Sequence, residues 1–200
     1  ATDQAVLDDF ERCLESFELV HSAYVTQVRN VTRLVVTRPR RPDIPYHPPS
    51  GLLTFLREHG LKSRAGGCRA WEKFVPPFVF ALNPTCLATF LAALWDCDGS
   101  LGRKLCHYVT TSPQLARDVQ RLLLKLGMAS TLYTSQYATQ RHGARTRYQV
   151  TVYDGAMFRQ TIQPLMKSQK RLIGCTATSD TTISREIFFR EVESLVGHES

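Results

Sequence analysis

The chain has 200 residues, enough for one domain or one internally duplicated domain with a sizeable core. Its hydrophobic content of 43% is ordinary for a globular protein, and no run of about 18 apolar residues is present, so no membrane span is expected. The net charge is +7, and residues 21–149 concentrate it, with 18 Lys+Arg against 6 Asp+Glu; residues 1–20 carry six acids and one Arg, and residues 150–200 balance. A basic middle between acidic and neutral ends implies a polyanionic partner, nucleic acid first, against the plainer reading of a basic soluble surface.

In chain order, residues 3–17 read as a helix burying Val6, Phe10, Cys13, Leu14 and Phe17 and exposing Asp3, Asp8, Asp9 and Glu11. Its acidic, polar start is unlike a signal peptide. Strands are predicted near 23–29 and 32–37, with Thr26, Arg29 and Arg33 outward. The stretch 38–49 holds five prolines and cannot be regular structure; Arg40 and Arg41 make it a basic loop. A helix over 51–59 and a Gly66-Gly67 turn follow, and then Lys73-Phe74-Val75-Pro76-Pro77. Residues 83–98 read as an apolar helix with Asn83 as N-cap, Pro84 at the first position, and Leu87, Phe90, Leu91 and Leu94 on the buried face. Ala88, Ala92 and Ala93 leave room for a closely packed partner helix. Asp96 and Asp98 stand at the negative end of the helix dipole, which points to a metal or a basic partner.

Beyond Gly99 the pattern predicts a strand over 100–110 and a helix from Pro113 to Lys125 closed by Gly127, with Leu115, Val119, Leu122, Leu123 and Leu126 inward. Strands near 130–138 and 145–153 flank a turn at His142-Gly143, a helix begins near Gly155 and ends before Pro164, and a strand is predicted over 186–195. An offset of 109 superposes Thr2, Asp9, Arg12 and Leu14 on Thr111, Asp118, Arg121 and Leu123, the signature of an internal pseudo-dimer. The six cysteines form no C-x-x-C pair and the six histidines no metal-ligand spacing, so reduced thiols, a cytoplasmic location and no zinc site are expected.

Leu91-Ala92-Ala93-Leu94-Trp95-Asp96-Cys97-Asp98-Gly99 resembles the LAGLIDADG motif of homing endonucleases at six of nine letters. Three further features resemble the intein-encoded (dodecapeptide) members: a K-x-V-P segment with Lys73 25 residues before Asp98, the order of elements after Gly99, and Arg185–Leu195 as a returning splicing-domain strand. The resemblance implies an α+β fold of pseudo-twofold αββαββα halves with saddle-shaped antiparallel sheets. It places a first half at 1–82, a second at 83–175 and the splicing strand within 183–200. The first half departs from the pattern in lacking its own motif helix, so the chain is either part of a longer nuclease or has lost that motif. It neither starts with Cys or Ser nor ends in His-Asn, and self-splicing by these residues alone is not expected.

The activity implied is Mg²⁺-dependent, site-specific cleavage of double-stranded DNA at a long asymmetric target, promoting intein homing. Asp98 is the implied metal ligand, Asp96 a structural residue, and Lys73 the first-half active-site lysine; Lys170, favoured over Lys167, is the second. DNA contacts fall to Arg29, Arg33, Arg40, Arg41, Arg103, Lys104, His107, Tyr133, Gln136, Arg141, Arg145, Arg147 and Gln149, joined on the strands by Ser135 and Tyr137, since a two-stranded ribbon fits the major groove. A cleavage-incompetent DNA-binding module or transcription regulator is the alternative, and a protein-interaction domain is a third reading. The splicing domain is the expected partner in cis, and the chain is a monomer or, through its unpaired motif helix, a homodimer.

Overall fold

The computed structural model describes residues 3–17, 22–28, 31–37, 50–63, 66–102, 105–139 and 143–168, which divide into two compact units at Gly67/Cys68. Residues 68–82 belong with the second of these units. The predicted strand at 186–195 lies outside the described residues.

The first unit runs helix, hairpin, helix. Helix α1 (Gln4–Leu14) is capped by the Asp3 carboxylate, which accepts the Ala5 N–H at 3.1 Å. Strands β1 (Ser22–Val28) and β2 (Val31–Thr37) pair antiparallel, and helix α2 (Gly51–Glu58) starts at Ser50, whose hydroxyl accepts the Leu53 N–H. Phe17 meets Phe55 edge-on at 5.7 Å. Gly66-Gly67, expected as a bare turn, is a two-residue strand β4 paired with β3 (Lys62–Ser63). The buried stripe of α1 is corrected too. Leu7, Asp9 and Leu14 are buried, while Phe10 is 43% exposed. Asp9 enters the interior with Arg12 3.7 Å from its carboxylate, an electrostatic arrangement that hydrophobic periodicity does not register.

The second unit is a four-stranded antiparallel sheet with its helices on one face. Helix α3 (Pro84–Asp98) begins as expected, with Asn83 Oδ1 accepting the Cys86 N–H at 2.8 Å. Leu87 and Leu91 are buried, but Phe90 and Leu94 are only half-buried; Trp95 at 0% exposure takes the central place. The single strand expected over 100–110 is a hairpin of β5 (Gly99–Leu101) and β6 (Cys106–Thr110), closed by the Gly102 N–H donating to the Leu105 carbonyl. Helix α4 (Pro113–Lys125) ends at Gly127, φ 79°, with Gly127 and Met128 N–H groups returning to the Leu124 and Leu123 carbonyls; Leu126 is half-buried rather than inward. Strands β7 (Ser130–Thr139) and β8 (Gly143–Val152) form a long ribbon, with Gly143 at φ 66° as the first residue of β8, and helix α5 (Gly155–Thr161) follows.

The strand order is β5-β6-β8-β7. Cys106, Tyr108, Val150 and Val152, paired across β6 and β8, are buried on the helix side. Trp95 lies 5.4 Å from the Tyr108 ring and 4.9 Å from Phe158, which ties α3 and α5 to that face. The helix–hairpin–helix order recurs as α4-β7-β8-α5, and Asp118 repeats Asp9: 2% exposed, with Arg121 at 3.7 Å. The whole is an α+β fold. No helix of the described residues is long and apolar enough to cross a membrane.

Candidate functional site

Alternation along β7 and β8 sorts the polar strand residues by face. Tyr133 pairs with Gln149, Ser135 with Arg147 and Tyr137 with Arg145, and His107 on β6 has the same parity, so these share the face away from the helices. Gln136, opposite Thr146, projects from the other face and is separated from the set it was grouped with. Arg147 Nε donates to Ser135 Oγ at 2.8 Å, which orients the guanidinium across the ribbon. Arg29, Arg40, Arg41, Arg103, Lys104, Arg141 and Lys170 lie outside the described residues, and Arg33 is described by its place on β2 alone.

The structure brings Lys73 and Asp98 together. Both line an open cleft of about 350 Å³, with Ala70, Val109, Thr110, Thr111, Tyr137 and Arg147. Asp98 is exposed at the last position of α3, and Gly99 turns the chain directly into β5. Burial, and then the Asp98 charge, push the Tyr108 phenol well above its ordinary range. Burial likewise raises the Cys106 thiol.

Lys73 owes its place to α4. Its carbonyl accepts a short hydrogen bond from the Ser112 hydroxyl, the same oxygen that caps α4 by accepting the Leu115 N–H. Two residues on, the Val75 N–H donates to Asp118 Oδ2 at 3.1 Å. Pro76-Pro77 then lead into a 3₁₀ turn whose Phe80 carbonyl accepts from the Lys125 ammonium and whose Phe80 ring lies 4.7 Å from the Arg121 guanidinium. The exposed Lys73 side chain thus springs from a backbone held on both sides, which limits the entropy lost on engaging an anion.

Asp96 faces elsewhere. It is 7% exposed, and its oxygens accept the Lys167 N–H at 2.9 and 3.2 Å and the Ser168 N–H at 3.0 Å. This is the structural role read for it in the sequence. It fixes the backbone at Lys167, the less favoured of the two second-half lysines.

Sequence reading missed the residues that hold the cleft in shape. Ser112 and Asp118 are 39 and 43 residues from their partners at Lys73 and Val75. The one signal for Asp118 was its coincidence with Asp9 at the 109-residue offset.

Comparison with known proteins gives this arrangement its relatives. Residues 85–163 match the family described as LAGLIDADG-like domain. The replicative DNA helicase DnaB of Rhodothermus marinus is 42% identical over 93 residues, 43% of this chain and 10% of the helicase. The DnaB of Synechocystis sp. is 40% identical with the same coverage. The DNA gyrase A protein of Mycolicibacterium flavescens is 35% identical over 140 residues, 64% of this chain and 24% of the gyrase polypeptide. The chain therefore spans only a tenth to a quarter of these relatives. The segment from α3 to α5, which ends its first helix at Asp98 and builds the ribbon bearing Arg147, is the part that is similar to the LAGLIDADG-like domain family.

Proposed function

We propose that this chain is part of a site-specific double-stranded DNA endonuclease borne by an intein, with the Lys73–Asp98 cleft as its reaction centre. The observation that carries the reading is the meeting of an exposed carboxylate and an exposed ammonium in one open cleft, rimmed by Arg147 from a long polar ribbon. The partial matches support the intein context, since DnaB and gyrase A are known intein hosts and each shares only a segment with this chain.

In this reading the β7–β8 ribbon lies along the major groove, with Tyr133 and Gln149 on the groove side. Arg147 takes a phosphate and brings the scissile group to the cleft mouth. Lys73 places its ammonium against the charge that grows on the phosphoryl oxygens, and Lys170 is the second-half counterpart. Asp98 fits one place in a Mg²⁺ ligand set: Mg²⁺ takes one or two carboxylates plus phosphate oxygens and waters, and Asp98 offers an exposed carboxylate where a phosphate would sit. Among the described residues no group of three or more His, Cys, Asp or Glu converges, so substrate phosphate and water would complete the set. When bound, Mg²⁺ would supply charge neutralisation and a more acidic water.

A cleavage-incompetent DNA-binding module is the second reading, favoured because Asp98 is the one carboxylate lining the cleft among the described residues. A second motif, from a preceding segment or from a second copy of the chain, would add the other.

The deciding experiment incubates a plasmid carrying an uninterrupted DnaB coding sequence with this chain, with Asp98→Asn and with Lys73→Met, in Mg²⁺ and in EDTA. Metal-dependent linearisation, lowered about 10²-fold or more in both variants, is expected. Tight binding to that plasmid without cutting by the parent chain would transfer the conclusion to the second reading.

A further inference from the structure

The chain has two tryptophans. Trp95 is fully buried, whereas Trp71 is 44% exposed. The surroundings of Trp71 are basic: the Arg69 guanidinium lies 5.3 Å and the Arg145 guanidinium 5.5 Å from its ring centroid. Two like charges share one ring, and the cation–π attraction that holds them there sets their planes in advance.

The ring is presented on a fixed turn. The Arg69 N–H donates to the Glu72 carboxylate at 2.9 Å, and the Glu72 N–H returns to the Arg69 carbonyl at 2.9 Å. Glu72, the acid nearest in sequence, is thereby engaged with backbone. The following residues are the Lys73–Val75 backbone that Ser112 and Asp118 hold. Arg145 comes from the ribbon, opposite Tyr137 and two residues before Arg147, and both Tyr137 and Arg147 line the cleft, as does Ala70 beside Trp71.

We infer that Arg69, Trp71 and Arg145 form a clamp for the sugar-phosphate backbone of duplex DNA beside the Lys73–Asp98 cleft. Planar guanidinium groups take phosphate oxygens in pairs, and groups already ordered on an aromatic plane lose less freedom in doing so. The clamp reads no bases and acts on any sequence. The inference rests on the DNA reading of the cleft and adds to it a contact that the family motif does not contain.

The test titrates the full chain with a random-sequence duplex oligonucleotide in EDTA, following tryptophan emission and, separately, fluorescence anisotropy of a labelled duplex. Because Trp95 is sealed beneath Tyr108 and Phe158, a change in emission reports Trp71, and Trp71→Phe checks the assignment. The expected results are a change in Trp71 emission with shielding from acrylamide, and a salt slope lower by about one in each of Arg69→Gln and Arg145→Gln. Trp71→Ala is expected to weaken binding about tenfold by releasing both guanidinium groups; Arg69→Gln decides the matter if that variant does not fold. Duplex binding by the parent with silent Trp71 emission and unchanged slopes in both arginine variants would overturn the clamp while leaving the DNA reading intact. Absence of duplex binding by the parent at low salt would overturn both.

Discussion

Asp118 accepts the Val75 N–H at 3.1 Å and the Gln114 amide at 2.9 Å, while Arg121 stands 3.7 Å away from a largely exposed position. Hydrogen bonds to a buried charge weigh more than an exposed ion pair, so the two partners are predicted to differ. Asp118→Ala should cost about 2–3 kcal/mol in urea unfolding, and Arg121→Ala about 1 kcal/mol or less. Gly99 shows a different constraint. Its φ of −84° suits any residue, but a Cβ there would lie 2.4 Å from the Trp95 ring and 2.7 Å from the Trp95 Cα. The backbone atom cannot rotate away, so Gly99→Ala is predicted to destabilise by about 1–3 kcal/mol, seen as a lower urea midpoint. Tyr108 gives a pH prediction. Its folded-state pKa is raised, so above about pH 10 the folded chain holds a proton that the unfolded chain has released, and stability falls as pH rises. Tyr108→Phe should show a shallower alkaline decline in unfolding midpoint than the parent chain.

At the scale of elements, the two ends of the motif helix have separate roles. Asn83 starts α3 by a local cap that the sequence announced. At the other end Asp98 opens to the cleft, and Asp96, two residues earlier and so on another side of the helix, takes the backbone N–H groups of Lys167 and Ser168 across 71 and 72 residues. Asp96→Ala is predicted to release that segment: the Lys167 and Ser168 amides should exchange with solvent about tenfold or more faster, while the core of α4 keeps its protection. The α4 N-terminus likewise serves the cleft more than itself, since the Ser112 hydroxyl both caps the helix and holds the carbonyl of Lys73.

For the whole molecule, charge distribution matters more than net charge. The +12 balance of residues 21–149 includes Lys73, Arg145 and Arg147, which surround the cleft and ribbon face. If the duplex is held by about 6–10 phosphate contacts, affinity should fall about 10³–10⁵-fold between 50 and 200 mM salt. Measuring binding constants for one duplex across that range checks it; a flat dependence would remove the electrostatic basis of the DNA reading. The repeated helix–hairpin–helix order, with Asp9–Arg12 and Asp118–Arg121 both at 3.7 Å, is the structural counterpart of the 109-residue offset.

Local chemistry was enough to determine much of this protein. The Asn83 cap, the Pro113 start and the Gly127 stop each act within a few residues, and periodicity located the described α-helices. Asp98 and Lys73 were singled out by the resemblance of the nonapeptide and the K-x-V-P segment to a known family, and the structure sets both along one cleft. Tertiary structure alone decided that Asp9 and Asp118 go inside, that residues 100–110 fold back as a hairpin, that Gln136 lies on the opposite face of the ribbon from Tyr133 and Arg147, and that Trp71 stays at the surface between two arginines. Asp118 shows the reason: its buried carboxylate is met by the Val75 N–H from 43 residues away, and a pattern of period 2 or 3.6 carries no record of that delivery.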